Sequence, residues 1–182
     1  MRALRIASLA TILGIVLLAC EPAVPHSNLN LLIKAFPKGG RIPAAFTEDG
    51  GDKSLEMEWN GAPSGTKAFA LVVDDPDAPE GTWVHWVLYD LPASTIKLDE
   101  NQPRGAAAGT LSSGARQGKN SWGRLGWNGP APPRGKPHRY FFRIYALSSP
   151  TGLAPGADRA ALDRAMKGKI LGEAEWMGIY GR

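Results

Sequence analysis

Residues 69–89 read FALVVDDPDAPEGTWVHWVLY, and this stretch decides the fold. Two apolar runs, each long enough for a buried strand, flank a turn whose first six residues, 74–79, contain three acids and two prolines. Because proline lacks a backbone donor and fixes φ, this turn is stiff and cannot extend the sheet. A stiff turn between buried strands can hold polar groups in fixed positions, so we expect part of a functional site here.

The composition is that of one folded domain. The chain has 182 residues, of which 43% are hydrophobic and 21% charged, as in ordinary globular proteins. Its 22 glycines and 15 prolines favour many turns over long helices. Two of its 21 basic residues lie in the first twenty, which leaves 19 basic against 17 acidic residues and no run of Lys or Arg. This excess is too small to predict a nucleic-acid partner.

The N-terminus has the pattern of a targeting segment. Arg2 and Arg5 precede an apolar stretch at 6–18 that leads into Cys20, the only cysteine. This pattern predicts a secretory signal, and LLAC at 17–20 resembles the bacterial lipoprotein cleavage box, in which the cysteine is acylated. An ordinary cleaved signal with an incidental cysteine is the alternative. We favour a lipoprotein signal peptide at 1–19, a lipid anchor on Cys20, a tether at 20–28 and one domain at 29–182, in the bacterial cell envelope on the periplasmic side or outer surface.

The pattern of the remaining chain is mostly that of β-structure. Strands are predicted at 29–36, 55–59, 68–73, 82–90, 139–147 and 170–180, with a partly extended segment at 41–47. One helix is predicted at about 158–167, capped by Asp158 and ended by Gly168. The stretch 92–122 shows no periodicity, and loops this long are usually functional or mobile. Short strands separated by turns predict an all-β fold, a sandwich with Greek-key connections.

Two histidines beyond the tether, His85 and His138, are the main reactive side chains. Each lies in a predicted strand beside a proline-rich turn. Alternation along 83–89 would place Trp83, His85, Val87 and Tyr89 on one face, and His138 would share a face with Tyr140. If the two strands are neighbours, both rings can meet in one cavity, with a carboxylate from Asp75 or Asp77.

Such a cavity has the chemistry of a small anion site. A charged imidazole donates from both nitrogens, and free amides in a Gly/Pro turn add further donors. A carboxylate behind one ring would fix its tautomer.

Other interpretations stay open. Both histidines could be satisfied core residues. A two-histidine, one-carboxylate metal site matches in composition only, since no metal-ligand spacing is present. A hydrolase lacks a Gly-x-Ser-x-Gly motif, and Ser121 is the only serine near the second proline-rich turn.

Five motifs together resemble one known family. They are DPDAP at 75–79, WxHW at 83–86, GxN at 118–120, GWxGPxPP at 126–133 and HRY at 138–140. In this order they are similar to the phosphatidylethanolamine-binding protein family, and most to its bacterial Raf-kinase-inhibitor-like branch, often called YbhB/YbcL. The resemblance extends over about residues 29–180.

The resemblance implies a sandwich of two antiparallel sheets with a small anion pocket. The pocket would be lined by Asp75, Pro79, Trp83, His85, Gly129, Pro130, Ala131, Pro132, His138 and Tyr140. Members bind phosphate-like groups, including phospholipid and nucleotide head groups, and some inhibit kinases or proteases. The resemblance implies no cofactor, metal or catalytic cycle, and it leaves open whether the protein forms a homodimer. It also implies a cis peptide bond between Ala78 and Pro79.

Three positions depart from the family pattern. Ala131 stands where the bacterial branch usually has cysteine, Trp127 replaces a tyrosine, and Leu55-Glu56 replaces a proline pair. Our primary expectation is a non-enzymatic, lipid-anchored domain that binds a phosphate-bearing ligand through both histidines, with Asp75 orienting one of them. The alternative is an inhibitor of a kinase or peptidase that acts through a rim at Trp83 and Trp127. A hydrolase using Asp75 and His85 is disfavoured.

Overall fold

A computed structural model describes residues 28–105 and 109–182. The predicted signal peptide, Cys20 and nearly all of the tether lie outside the described residues.

Within the described part of the chain, no helix has the length and apolar character needed to cross a membrane.

Eight strands form two antiparallel sheets. The strands are β1 Asn30–Leu32, β2 Met57–Asn60, β3 Ala68–Asp75, β4 Trp83–Pro92, β5 Lys97–Leu98, β6 Arg116–Gln117, β7 His138–Leu147 and β8 Ile170–Tyr180. The small sheet has the order β1-β2-β5 and the large sheet the order β6-β4-β3-β7-β8. A 3-10 turn at Ala44–Phe46 and one helix, α1 at Arg159–Met166, complete the regular structure of the described residues. Two antiparallel sheets and one helix are confirmed, whereas the sandwich and Greek-key details stay predictions.

Most predicted elements agree with these bounds. Asp158 caps α1, because its carboxylate accepts a hydrogen bond from the Ala161 amide at 2.8 Å. The predicted strand at 29–36 is wrong in length, since only Asn30–Leu32 pairs with a neighbour. In the segment predicted as partly extended at 41–47, Arg41 forms a bridge with Ile179 and Ala44–Phe46 forms a 3-10 turn. The aperiodic stretch 92–122 contains the short strands β5 and β6.

Buried side chains form two clusters on opposite faces of the large sheet. The larger cluster joins both sheets and includes Leu31, Trp59, Phe69, Trp86 and Phe142. The smaller cluster packs under α1, where Val87 and Tyr89 meet Leu162 and Met166. Because apolar burial is the main driving force of folding, β3 and β4 contribute to stability on both faces.

A β-bulge in β4 changes the face on which His85 lies. Val73 pairs with Trp86, but the next residue, Asp74, pairs with Val84, so His85 is the extra residue. A bulge re-aims the side chains on one side of it. The predicted common face for residues 83, 85, 87 and 89 is therefore wrong. His85 contacts Tyr140 of the larger cluster, while Val87 lies in the cluster under α1.

The Ala78–Pro79 bond is trans, and no cis peptide occurs in residues 28–105 or 109–182. The prediction of a cis bond is wrong for a local reason. The Gly81 amide donates to the Ala78 carbonyl at 3.1 Å, which makes Pro79 the second residue of a four-residue turn. A trans proline suits that position, whereas cis-proline turns carry the proline one position later.

Candidate functional site

The end of the large sheet forms an open cavity of about 250 Å³. Its walls come from the ends of β3 and β7, the turn after β3, the start of β4 and two later loop segments. The lining residues are Asp75, Ala78, Pro79, Glu80, Trp83, His85, Trp122, Ala131, Pro132, Pro133, His138 and Tyr140. Eight of the ten residues that the sequence predicted for the pocket are therefore brought together, and Gly129 and Pro130 are not among the lining residues.

The two histidines meet across β3. Their strands are not neighbours, because β3 lies between β4 and β7. Both rings nevertheless reach the same cavity, since His85 lies at the bulge of β4 and His138 is the first residue of β7.

A carboxylate holds the side of the cavity that His138 forms, which we call the His138 wall. Nδ1 of His138 donates to Oδ2 of Asp75 at 2.8 Å, and both residues are buried. The other carboxylate oxygen accepts the Asp77 amide at 2.8 Å, which fixes the acid at the start of the turn. Because an ionised carboxylate only accepts, the proton of a neutral ring sits on Nδ1. Nε2 of His138 makes no hydrogen bond to the described residues.

The second candidate acid, Asp77, lies outside the cavity. Its carboxylate accepts the Nε and Nη2 groups of Arg139 at 2.8 and 2.7 Å. This bidentate pair holds the pKa of Asp77 well below its usual range. Asp75, and not Asp77, is therefore the acid that orients a histidine.

A neutral backbone carbonyl holds the side of the cavity that His85 forms, which we call the His85 wall. Nδ1 of His85 donates to the Asn128 carbonyl at 2.6 Å. Burial lowers the pKa of His85, although the Asn128 carbonyl and the charge of Asp75 act in the opposite direction. The neutral ring therefore has its proton on Nδ1 and an unprotonated Nε2.

Asn120 organises the loop that carries this carbonyl. Its Nδ2 donates to the Asn128 side chain at 2.8 Å and to the Gly126 carbonyl at 3.2 Å. Its Oδ1 accepts the Trp122 and Arg124 amides, each at 3.0 Å. A single buried side chain thus closes the loop, which explains why asparagine occupies this position of the GxN motif.

Ser121 joins the same loop to β4. Its hydroxyl accepts the Val84 amide at 2.8 Å, and its own amide donates to the Val84 carbonyl at 2.9 Å. Its place is therefore structural, since Ser121 does not line the cavity.

Tyr140 contributes an unused polar group to the cavity. Its side chain is buried, and its hydroxyl makes no hydrogen bond of ordinary geometry to the described residues. Burial, together with the nearby charge of Asp75, raises the pKa of Tyr140. The hydroxyl is thus a neutral donor beside His85, whose ring centroid lies 5.2 Å away. Buried polar groups without partners are uncommon and mark sites where a ligand can supply one.

The segment 127–130 supports the cavity from behind. The Gly129 amide donates to Asp52 at 2.7 Å, and the Pro130 carbonyl accepts the Glu48 amide at 3.1 Å. A Cβ on Gly129 would lie 2.6 Å from the Phe46 carbonyl oxygen, so only glycine fits there. Trp127 is buried and stacks on Phe142, which corrects its predicted place on the rim.

Trp122 takes the place predicted for Trp127. It lines the cavity and packs edge-on against Trp83, with the ring centroids 5.4 Å apart. Sequence reasoning missed Trp122 and Glu80, although Trp122 lies two residues after Asn120 and Glu80 directly follows Pro79, beside motifs already singled out. Among the described residues, no group of three or more His, Cys, Asp or Glu side chains is arranged to hold a metal ion.

Comparisons with known proteins agree with this geometry. Residues 33–181 match the family model described as phosphatidylethanolamine-binding protein. A UPF0098 protein of Methanothermobacter thermautotrophicus is 46% identical over 154 residues, which cover 85% of this chain and 99% of that protein.

Two solved structures have the same fold. A putative phosphatidylethanolamine-binding protein homolog from Chlamydia trachomatis aligns with a TM-score of 0.77 at 32% identity and covers 86% of this chain and 99% of its own. YbcL of Escherichia coli, described as a new member of the mammalian PEBP family, aligns with a TM-score of 0.77 at 30% identity and covers 85% and 98%. With its motifs, cavity and fold in agreement, the chain belongs to the phosphatidylethanolamine-binding protein family.

Proposed function

We propose that this domain binds a small phosphate-bearing ligand without catalysing a reaction, and that a lipid on Cys20 anchors it in the bacterial cell envelope. One observation carries the proposal: two imidazoles and the Tyr140 side chain line one open cavity, and the buried Tyr140 hydroxyl makes no hydrogen bond of ordinary geometry to the described residues. Each ring uses Nδ1 to hold its wall, so Nε2 of each remains for a ligand.

The donors of the cavity suit an anion. The Tyr140 hydroxyl donates to a phosphate oxygen, and an imidazolium at His138 donates through Nε2 while Asp75 balances its charge behind the ring. When His85 is neutral, its Nε2 accepts a hydrogen bond from a phosphate hydroxyl. When the ring is charged, Nε2 donates a hydrogen bond to a phosphate oxygen instead. Hydrogen bonds to charged groups are roughly twice as strong as neutral ones.

The size and rim of the cavity suit a head group. About 250 Å³ is slightly below the range of drug-sized ligand sites. Trp83 and Trp122 offer aromatic faces, and Glu80 adds a carboxylate at the mouth. Aromatic faces and carboxylates attract an ammonium group, so phosphoethanolamine fits as well as inorganic phosphate. The family name supports the same class of ligand.

Titration calorimetry at pH 6 tests this function. We expect the mature domain to bind inorganic phosphate and O-phosphoethanolamine, and His85→Gln to reduce both affinities at least tenfold. His26→Gln, a matched change in the predicted tether, should leave them unchanged. No binding at pH 6, or equal binding by wild type and His85→Gln, would refute the proposal.

The proposed anchor has its own test. Cys20→Ser should move the protein from the membrane fraction to the soluble fraction, because two or more acyl chains give stable attachment where one does not. Mass spectrometry of the mature protein should show acylation at Cys20. A wild-type protein that starts at another residue or carries no lipid would contradict the anchor.

Inhibition of an envelope peptidase or kinase is the second candidate. It is favoured by the Trp83–Trp122 pair at the cavity mouth, since aromatic residues are enriched at protein interfaces. If so, Trp83→Ala should abolish inhibition. A phosphate ligand added to the wild-type protein should compete with the inhibited partner. A hydrolase is not proposed, because no Ser, Thr or Cys lines the cavity.

A further inference from the structure

A second cleft lies beyond the loop that carries the Asn128 carbonyl. Its volume is about 780 Å³, and none of its lining residues also lines the histidine cavity. Three basic side chains, Arg104, Lys119 and Arg124, line it together with a single acid, Asp52. The cleft is thus a separate concave surface with an excess of positive charge.

Two of the three cations have no partner. Lys119 and Arg124 make no side-chain ion pair or hydrogen bond with any described residue, and both are exposed. Arg104 pairs with Asp52, whose other oxygen accepts the Gly129 amide. Asp52 therefore offsets only one of the three positive charges.

The excess of two positive charges in the cleft equals the excess of the whole chain after residue 20. After residue 20 the chain holds 19 basic and 17 acidic residues. Outside the cleft the two signs balance. Concave surfaces lined by charge of one sign concentrate counter-ions, so this cleft should attract anions.

Backbone hydrogen bonds hold the walls of the cleft in place. The Gly105 amide donates to the Leu125 carbonyl at 2.9 Å, and the Lys119 amide donates to the Ala157 carbonyl at 3.1 Å. The Gly156 amide donates to the Gln117 carbonyl at 2.8 Å. Because the wall segments are connected in this way, a ligand need not order them, and prearranged charges bind at lower entropic cost.

We propose that this cleft is a second anion-binding site, distinct from the histidine cavity, for a small molecule that carries two or more phosphate groups. A diphosphate offers two anionic groups, one for each of the unpaired cations Lys119 and Arg124, whereas orthophosphate offers a single group. The volume falls within the range of small-molecule sites. The site does not depend on His85 or His138, so it goes beyond the function proposed above.

Pyrophosphate is the probe for this site. Calorimetry at pH 7.5 and low salt should show pyrophosphate binding by wild type, and Lys119→Gln/Arg124→Gln should weaken it at least tenfold. Lys67→Gln/Arg164→Gln removes the same two residue types from exposed positions that make no ion pair, and should change the affinity less than twofold. His85→Gln should leave pyrophosphate binding intact. Lys119→Gln/Arg124→Gln, the cleft variant, should keep orthophosphate binding at pH 6.

Three results would overturn the proposal. The first is an absence of pyrophosphate binding by wild type. The second is an equal loss of pyrophosphate affinity in Lys119→Gln/Arg124→Gln and in the Lys67→Gln/Arg164→Gln control, which would mean that only the net charge of the protein matters. The third is a loss in His85→Gln but not in the cleft variant, which would assign pyrophosphate to the histidine cavity.

Discussion

The two histidine walls of the cavity use the same side chain in different ways. Both rings donate from Nδ1, but His138 donates to a carboxylate and His85 to a neutral carbonyl. Burial lowers the pKa of His85, and no ionised partner contacts its ring. The partner of Nδ1, and not the presence of a histidine, therefore decides what Nε2 offers to a ligand.

The His138 wall and the His85 wall also differ in the backbone structure that supports them. The His138 wall consists of regular strand ends, where Asp75 closes β3 and His138 opens β7. The His85 wall depends on a loop whose shape is set by one side chain, Asn120. The His85 wall should therefore be more sensitive to a single substitution.

Asn120→Ala should have the largest effect. It removes four hydrogen bonds at a buried position and leaves the amide of Trp122 and the side chain of Asn128 without partners. With each of the four bonds contributing about 1 kcal/mol net, we expect a loss of about 4 kcal/mol in the free energy of unfolding. Urea unfolding measures it. The exposed Asn60→Ala should cost less than about 0.5 kcal/mol, and equal stability of the two variants would contradict the role of Asn120.

Asp75→Asn should change the other wall. The amide of asparagine would donate to Nδ1 of His138, so the ring proton would move to Nε2 and the charged partner would be lost. We expect phosphate affinity to fall by about tenfold, since charge-assisted hydrogen bonds are about twice as strong as neutral ones. Nitrogen NMR should show the tautomer change at His138 but not at His85.

Asp77→Asn is the matched control for this prediction. Asp77 is paired with Arg139 outside the cavity, so its replacement should leave the tautomers of both histidines unchanged. A tautomer change at His138 in this control, or none in Asp75→Asn, would show that Asp75 does not set the ring proton.

Much of this arrangement could be predicted from the sequence. Apolar runs located the central strands, and Asp158 and Gly168 marked the helix ends. The residue pattern predicts that the two histidines share a cavity only if their strands are neighbours, and the family resemblance implies the same cavity. These predictions rest on local patterns, which single-sequence reasoning reads well.

The remaining features depend on contacts between distant residues. The bulge at His85 exists only in the pairing of β3 with β4. The partner of His85 is a backbone carbonyl, and every residue has one, so no side-chain type marks it. Trp122 and Trp127 both neighbour glycine, and only the loop closed by Asn120 decides which one faces the cavity. The Gly129 amide is engaged by Asp52, far away in sequence.

Acidification should weaken the fold through His85. Its pKa in the folded protein lies below the ordinary value of 6.5, so the unfolded chain binds more protons in that window. The free energy of unfolding should therefore decrease as the pH falls below 6.5, by up to about 1.4 kcal/mol for each unit that separates the two pKa values. Unfolding measured from pH 7.5 to pH 5 should show a shallower decrease in His85→Gln than in wild type. His26→Gln should keep the wild-type slope, and identical slopes in all three proteins would contradict a depressed pKa.

The smallest effect should come from Glu80→Gln at the mouth of the cavity. Asp75 is held by His138 and the Asp77 amide, whereas Glu80 is exposed and makes no ion pair with the described residues. An exposed charge acts weakly, so removing it should strengthen phosphate binding only about two- to threefold at low salt. Phosphoethanolamine should gain less, because its ammonium group loses the attraction of the same carboxylate. The ratio of the two affinities, measured by calorimetry, therefore reports whether the ammonium lies beside Glu80. Glu173→Gln, an exposed acid on β8, should leave that ratio unchanged, and an equal gain for both ligands in Glu80→Gln would mean that the ammonium lies elsewhere.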